Sequence, residues 1–376
     1  MGRNSAHILV ACVAVLVGLG LTMLASVGAF SPDNRGQTLF FLQRQGLWLV
    51  VGTGICVGLS RCDAKTILRY ASWIFGIATV LVAICLIPGL GKSVKGSARW
   101  IPIGPFAIQP GEMLKLATVV MAAAWVKWKG PKMKNSWEGL FLPFLILIVP
   151  VLLLVKQPDL GSAAFVMVAA AVVLFVGGAP ILPLIGVGVL GLVGVGLVAI
   201  SMPERMDRLV AFMDPEAHKQ GGGYQVTQAL IALGSGGTRG VGLGQSIQKM
   251  FYLPEAHTDF IFPILGEELG LFATLSVVLL FLVMTLCGGS IAGHAADLPT
   301  MALGMGATAL VGMQAIANLA VVTGLLPPKG VGLPFMSYGG SNLVLCLGAI
   351  GILLSLHREA KYPVEARHRR LVGGGK

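Results

Sequence analysis

Groups able to do acid–base or charge chemistry are scarce in this chain, and they gather in a few short stretches. The densest is Tyr252-Leu253-Pro254-Glu255-Ala256-His257-Thr258-Asp259-Phe260-Ile261-Phe262, which runs into an apolar block. A carboxylate between phenylalanines at a water–lipid boundary is partly desolvated, which suits a general base. Asp259 is also well placed to cap the following helix, since Thr and Asp are the expected caps. Ahead of it stands the run Gly234-Ser235-Gly236-Gly237-Thr238-Arg239-Gly240-Val241-Gly242-Leu243-Gly244-Gln245-Ser246, with Lys249 close behind. Successive glycines can aim backbone N–H groups at an anion, and Arg239 and Lys249 would add charge to a phosphate site. The run lacks the lysine–serine ending of a nucleotide P-loop and follows no strand. A flexible loop accounts for it equally well.

Three further stretches carry charge. Gln109-Pro110-Gly111-Glu112-Met113-Leu114-Lys115 opens an apolar block, and Glu112 and Lys115 are spaced to pair on one helix face. An ordinary helix start explains this, with the lysine snorkelling to the headgroups. The functional alternative sets Lys115 beside an anionic lipid headgroup. Lys156-Gln157-Pro158-Asp159-Leu160-Gly161 reads as a tight turn, with Asp159 capping the next helix. Glu267 and Glu268 lie about two turns inside a block. Adjacent helical residues diverge, so they form no acid/base dyad, and one of them is expected to face the protein interior, paired or protonated. The six cysteines show no CxxC pair and no zinc-like spacing, so neither a disulfide framework nor a metal cluster is expected.

The elements that must position these residues follow from composition. Of 376 residues, 55% are hydrophobic and 11% charged, against roughly 25% charged in soluble domains. The apolar residues fall in blocks of about 20, the length that crosses a bilayer. A soluble enzyme, a nucleic-acid binder and a disordered scaffold are excluded, and the net charge of +11 resides mostly in short loops and tails. Blocks near 7–29, 45–60, 70–88, 111–127, 139–155, 161–177, 181–200, 262–287, 301–325 and 340–357 predict an all-α polytopic membrane protein with about ten transmembrane helices. The first block exceeds a signal-peptide core and is read as a retained helix. Glycines 186, 188, 191, 194 and 196 in the seventh block predict close helix packing. No internal repeat is visible.

With the N-terminus inside, one side collects Arg3; Arg61, Lys65 and Arg69; Lys127, Lys129, Lys132 and Lys134; and the tail Arg358, Lys361, Arg367, Arg369, Arg370 and Lys376. These outnumber Arg35, Arg44, Lys92, Lys95, Arg99, Lys156 and Lys329 on the other side. Both termini are therefore expected in the cytoplasm. One large extracytoplasmic loop, 201–260, joins the seventh and eighth helices, and a basic tail, 358–376, suits anionic lipid. The loop opens with an amphipathic pattern over 203–215 suited to the membrane interface.

Several blocks together resemble the SEDS family (shape, elongation, division and sporulation) over nearly the whole length, as a single domain 1–376. They are Gly96-Ser97-Ala98-Arg99-Trp100; Gln109-Pro110 with Glu112 and Lys115; Gln157-Pro158-Asp159-Leu160-Gly161; Ala232 to Gly237; Pro254 to Phe262 with Glu267-Glu268; and Leu333-Pro334-Phe335-Met336-Ser337-Tyr338-Gly339-Gly340. Phe251 to His257 and Gly324 to Gly330 are more similar to the division branch than to the elongation branch. One departure is Gly111, where the family usually has serine. The resemblance implies a peptidoglycan glycosyltransferase that polymerises lipid II, inverting to β-1,4 linkages, at the outer face of the bacterial cytoplasmic (inner) membrane at the septum. It implies Asp259 as the essential acid, and Arg99, Glu112 and Lys115 as functional charges, with Glu267 and Ser337 among the substrate-site candidates. Neutralising the pyrophosphate leaving group falls to Arg99, Lys115, Arg239 and Lys249, with Mg²⁺ or Mn²⁺ as an additional candidate, although no dedicated metal cage is visible. The implied partners are a class B penicillin-binding protein transpeptidase and other divisome proteins. Two other readings stay open. A lipid II flippase would place polar groups deep in the bundle, as Gln314 and Asn318 on one helix face allow; a non-catalytic scaffold would leave Asp259 without a role.

Overall fold

The computed structural model describes residues 4–29, 39–94, 97–104, 106–200, 206, 210–213, 223–250 and 252–372. Helices stand at all ten apolar blocks. They are α1 (Ser5–Gly28), α2 (Phe40–Arg61), the short α3 (Ala64–Arg69) with α4 (Ala71–Ile84), α5 (Pro110–Lys129), α6 (Leu142–Lys156), α7 (Leu160–Val176) and α8 (Ile181–Ile200). After the long loop, which contains α9 (Tyr224–Ser235), come α10 (Ile261–Gly293), α11 (Leu298–Val322) and α12 (Gly340–Val372). Among the described residues, six helical stretches are long and apolar enough to cross a membrane: Ser5–Gly28, Phe40–Arg61, Trp137–Lys156, Ile261–Gly293, Leu298–Val322 and Gly340–Ala360. Three more, Ala71–Ile84, Leu160–Val176 and Ile181–Gly191, are apolar but shorter, and α5 carries Glu112, Lys115, Lys127 and Lys129 along its length.

The centre of the bundle is α5 packed on α7 and α11, flanked by the pairs α2–α12 and α1–α10. Close approach there depends on Gly306 of α11, where a Cβ would meet Val173 Cγ2 at 2.3 Å and Val119 Cγ1 at 2.8 Å. The α8 glycines behave differently. A Cβ on Gly186, Gly188, Gly191, Gly194 or Gly196 would meet nothing within 4 Å, so the packing expected of that face is not made within the described chain.

The start of α1 and the Arg358 turn of α12 lie at one end of the bundle. Ser5 approaches Ser290 at 3.5 Å, and Arg358 pairs with Asp63 at 2.9 Å. The opposite end carries a feature that an all-α reading omits: the antiparallel strands β1 (Lys92–Val94), β2 (Ser97–Ile103) and β3 (Phe106–Ile108), in the order β1-β2-β3. The amphipathic stretch 203–215 lies for the most part outside the described residues, as do Arg35, Lys95 and Phe251.

Helix α10 is broken. Gly270 adopts φ 77°, ψ −171°, and the glycine-rich run fills the break. Val241 N–H donates to the Glu267 carbonyl at 2.9 Å, Gly242 N–H to the Glu268 carbonyl at 3.0 Å, and Leu271 N–H to the Gly237 carbonyl at 3.0 Å. The run's backbone thus satisfies the groups that a helix interruption exposes.

Candidate active site

The start of α5 builds the first part of the site. Gln109 is extended and Pro110 occupies the first turn, which sets Glu112 and Lys115 on one face. Their charges meet at 2.6 Å, with side chains 10% and 3% exposed. Gln314 of α11 donates to the second Glu112 oxygen at 3.3 Å, and the Lys115 ammonium lies 5.0 Å over the Phe165 ring of α7. Lys329, in the loop before α12, approaches the same ring at 5.7 Å. A lysine snorkelling to the headgroups would not be buried; Lys115 is committed to Glu112.

Asp159 caps α7, accepting from Ser162 N–H at 3.1 Å and Ser162 Oγ at 2.8 Å. Arg99 on β2 closes over that turn. Its guanidinium donates to the Pro158 carbonyl and, at 3.5 Å, to the Gln157 carbonyl, and lies 3.9 Å from the Asp159 carboxylate. Gly161 brings this turn against the second lysine, since a Cβ there would meet Lys329 Cε at 2.9 Å and Asp159 Oδ1 at 3.4 Å.

Asp259 stands beside the Lys329–Gly330 chain. The helix after it begins with Phe260 as N-cap and has no side-chain cap bond, so Asp259 is not the cap of α10. It is half-buried, and its carboxylate rests on the chain beside Lys329: a Cβ on Gly330 would lie 3.3 Å from Asp259 Oδ2. Asn318 Nδ2 donates to the Asp259 carbonyl at 2.7 Å and to the Val331 carbonyl at 2.7 Å. Two residues earlier, the His257 ring stacks on Phe41 with centroids 4.4 Å apart, and Tyr338 N–H donates to the His257 carbonyl at 2.9 Å. Burial pushes the Tyr338 phenol above its usual range, with Arg44 beside it pulling the other way.

Arg99, Glu112, Lys115, Asp159 and Asp259 are therefore brought to one end of the bundle around Phe165 and Lys329. Other candidates are placed elsewhere. Lys249 is fully buried, paired with Glu268 at 2.7 Å and donating to Ser26 Oγ at 2.8 Å, so here it neutralises Glu268 rather than presenting a cation to a ligand. Both adjacent glutamates are buried, not one. Glu267 accepts from Ser246 Oγ, from Ile247 N–H at 3.0 Å and from Gln248 N–H at 3.3 Å. Arg239 is exposed at the Gly270 break, on a glycine run whose N–H groups at Val241 and Gly242 serve helix carbonyls instead of an anion. Ser337 is buried and accepts from Leu333 N–H at 2.7 Å, holding its own loop. Among the described residues no group of three or more His, Cys, Asp or Glu side chains is placed to hold a metal ion. Lys329, Phe165 and the anchoring roles of Gln314 and Asn318 were not assigned to this site from the sequence; the only signal was a lysine bracketed by Pro328 and Gly330 ahead of the last helix.

An all-α bundle of apolar helices with a cluster of paired charges at one end defines a multi-pass membrane protein with a polar site at its rim. The profile of the FtsW/RodA/SpoVE cell cycle proteins matches residues 6–362. A probable peptidoglycan glycosyltransferase FtsW of Pseudomonas fluorescens (strain SBW25) is 40% identical over 358 residues, 94% of this chain and 88% of that one. The Geobacter sulfurreducens (strain DL-1 / KN400) protein of the same description is 38% identical over 356 residues, 93% of this chain and 95% of its own. Among solved structures, a chain from a peptidoglycan synthase complex that coordinates polymerization and crosslinking superposes with a TM-score of 0.75 at 27% identity, over 94% of this chain and 97% of that one. The rod shape determining protein RodA of Thermus thermophilus gives 0.69 at 28% identity, over 94% and 96%. The chain belongs to the FtsW/RodA/SpoVE family, the SEDS family that its motifs resemble.

Proposed function

We propose that this chain, a peptidoglycan glycosyltransferase by its family, polymerises lipid II at the outer face of the bacterial cytoplasmic membrane with Asp259 as general base. The observation that carries the reading is the half-buried Asp259 carboxylate lying against Lys329-Gly330, at the end of the bundle that also holds the Glu112–Lys115 pair. Asp259 takes the proton from the 4-hydroxyl of an acceptor N-acetylglucosamine. That oxygen attacks C1 of the donor N-acetylmuramic acid, the C1–oxygen bond to pyrophosphate breaks, and undecaprenyl pyrophosphate leaves with the electron pair. Attack opposite the leaving group inverts C1 to a β-1,4 linkage. One carboxylate suffices because the leaving group is already a stabilised anion that needs charge neutralisation more than a proton. Lys329, exposed beside the base, supplies positive charge there; Lys115 is already neutralised by Glu112, and Arg99 holds the α6–α7 turn that borders them.

The positive-inside distribution supports cytoplasmic termini and an outward-facing site. The single domain comprises residues 1–376, with 201–260 as its large outer loop and 358–376 as its basic tail. A structural relative from a complex joining polymerization to crosslinking supports a class B penicillin-binding protein as partner, and the division-like motifs support septal work beside other divisome proteins. The flippase reading loses its main support, because the deep polar side chains Gln314 and Asn318 are engaged by protein groups. The test is to give purified protein lipid II, with and without the cognate transpeptidase, and to measure in parallel the movement of labelled lipid II across liposomes. Glycan strands are expected. Translocation without any glycan would return the flippase.

A further inference from the structure

Helix α11 runs behind both halves of the site. Gln314 and Asn318, each 1% exposed, are four residues apart and so share one face, a turn from each other. Gln314 donates to Glu112 at 3.3 Å, the carboxylate that holds Lys115, while its own carbonyl faces Cys346 Sγ at 3.7 Å. Asn318 gives both hydrogens of its amide to backbone, one to the Asp259 carbonyl and one to the Val331 carbonyl, each at 2.7 Å. Those two carbonyls belong to different loops, one carrying the base and the other carrying Lys329. Among the described residues Asn318 Oδ1 has no hydrogen-bond partner. A buried amide with an unmatched acceptor is a cost that an apolar residue would avoid, so its value lies in the two donors.

We infer that Asn318, with Gln314 one turn below it, is a positioning residue of the transferase. It clamps the Asp259 loop to the Lys329 loop, and α11 sets the distance of both from the Glu112–Lys115 pair. The catalytic consequence rests on Asp259 being the base; the clamp itself does not. Asn318 touches neither reacting sugar in this account and acts through the backbone of Asp259, where any shift is passed directly to the carboxylate.

The experiment compares wild type, Asn318→Leu and Asn318→Ser by hydrogen exchange of backbone amides and by steady-state polymerisation of lipid II, each protein complexed with its transpeptidase. Asn318→Leu removes both donors on the same branched skeleton with bulkier methyl ends, and Asn318→Ser keeps one donor without added bulk. In Asn318→Leu, exchange is expected to rise together in segments 254–260 and 328–333 but not in α5 or α7. Its kcat should fall roughly 10²-fold, the scale of a misplacement of about 1 Å, with KM within about twofold. Asn318→Ser should lie between, and it carries the test if Asn318→Leu does not fold. Unchanged exchange in either loop, or faster exchange with wild-type kcat, overturns the inference. A uniform rise in exchange through the bundle, with kcat restored by cooling, would also overturn it, by making Asn318 a stability residue. If wild type makes no glycan, the polymerase reading fails, while the exchange pattern still decides whether the clamp exists.

Discussion

A base must be reachable by the hydroxyl it deprotonates, and this separates Asp259 from the other acids at this end of the bundle. Glu112 and Asp159 are only 8% and 6% exposed, Glu112 against the Lys115 ammonium and Asp159 beneath Ser162, while Glu267 and Glu268, at the α10 break, are 2% and 0% exposed. Asp259 is half-buried in the loop before α10. The two lysines beside Phe165 should fail in different ways. Lys329 is exposed, so Lys329→Ala should cost at most about 1 kcal/mol of stability and lower the polymerisation rate roughly 10²-fold if its charge stabilises the departing pyrophosphate. Lys115 is buried against Glu112, so Lys115→Met should strand a buried carboxylate and cost about 3–5 kcal/mol, read as a lower melting temperature. The Glu112–Lys115 pairing was legible from i,i+3 spacing alone. The Asp259–Lys329 neighbourhood was not, because nothing local in either loop reports the fold of the other.

At the scale of elements, the break in α10 organises the long loop. Gly270 has a left-handed φ, and a Cβ there would meet Gly240 N at 2.4 Å, while one on Gly240 would meet the Glu268 carbonyl at 2.2 Å. Gly270→Ala should therefore destabilise the fold by about 1–3 kcal/mol or more, opposite in sign to the roughly 1 kcal/mol that the same exchange gains in an ordinary helix interior, measured by thermal unfolding in detergent. The Lys249–Glu268 pair locks the same region to α1 through Ser26. Lys249→Met alone should lower stability strongly, and pairing it with Glu268→Leu should recover most of the loss, because the penalty is an unpaired buried charge. The glycine run announced that its backbone bends, but not what it bends around. Its partners lie about thirty residues further on, in a helix whose own sequence reads as continuous. An anion nest and a helix plug demand the same glycines and the same free N–H groups.

For the whole molecule, hydropathy blocks translated directly into helices because a bilayer leaves the backbone little alternative. The small sheet stayed hidden: its strands Lys92–Val94 and Phe106–Ile108 are too short to show a period. Charge placement argues for cytoplasmic termini, and a native thiol can test it. Cys62 is exposed at the end that holds the start of α1 and Arg358, whereas Cys12, Cys56, Cys85, Cys287 and Cys346 are buried. In intact spheroplasts a membrane-impermeant maleimide should leave Cys62 unlabelled, and a permeant one should label it. Labelling by the impermeant reagent would place Asp259 on the cytoplasmic side, away from any strand assembled outside.

If the Asp259 carboxylate is the base of glycan polymerisation, removing its charge must stop strand growth while lipid II still binds. The most direct measurement is the initial rate of strand formation from lipid II by wild type, Asp259→Asn and Asp259→Glu, each complexed with the cognate transpeptidase and each shown to bind lipid II. Asparagine keeps the shape and loses the base, so the rate should fall about 10²–10⁴-fold with binding retained, and Asp259→Glu should keep partial activity. Wild-type rates from a folded, lipid II-binding Asp259→Asn protein would contradict that role.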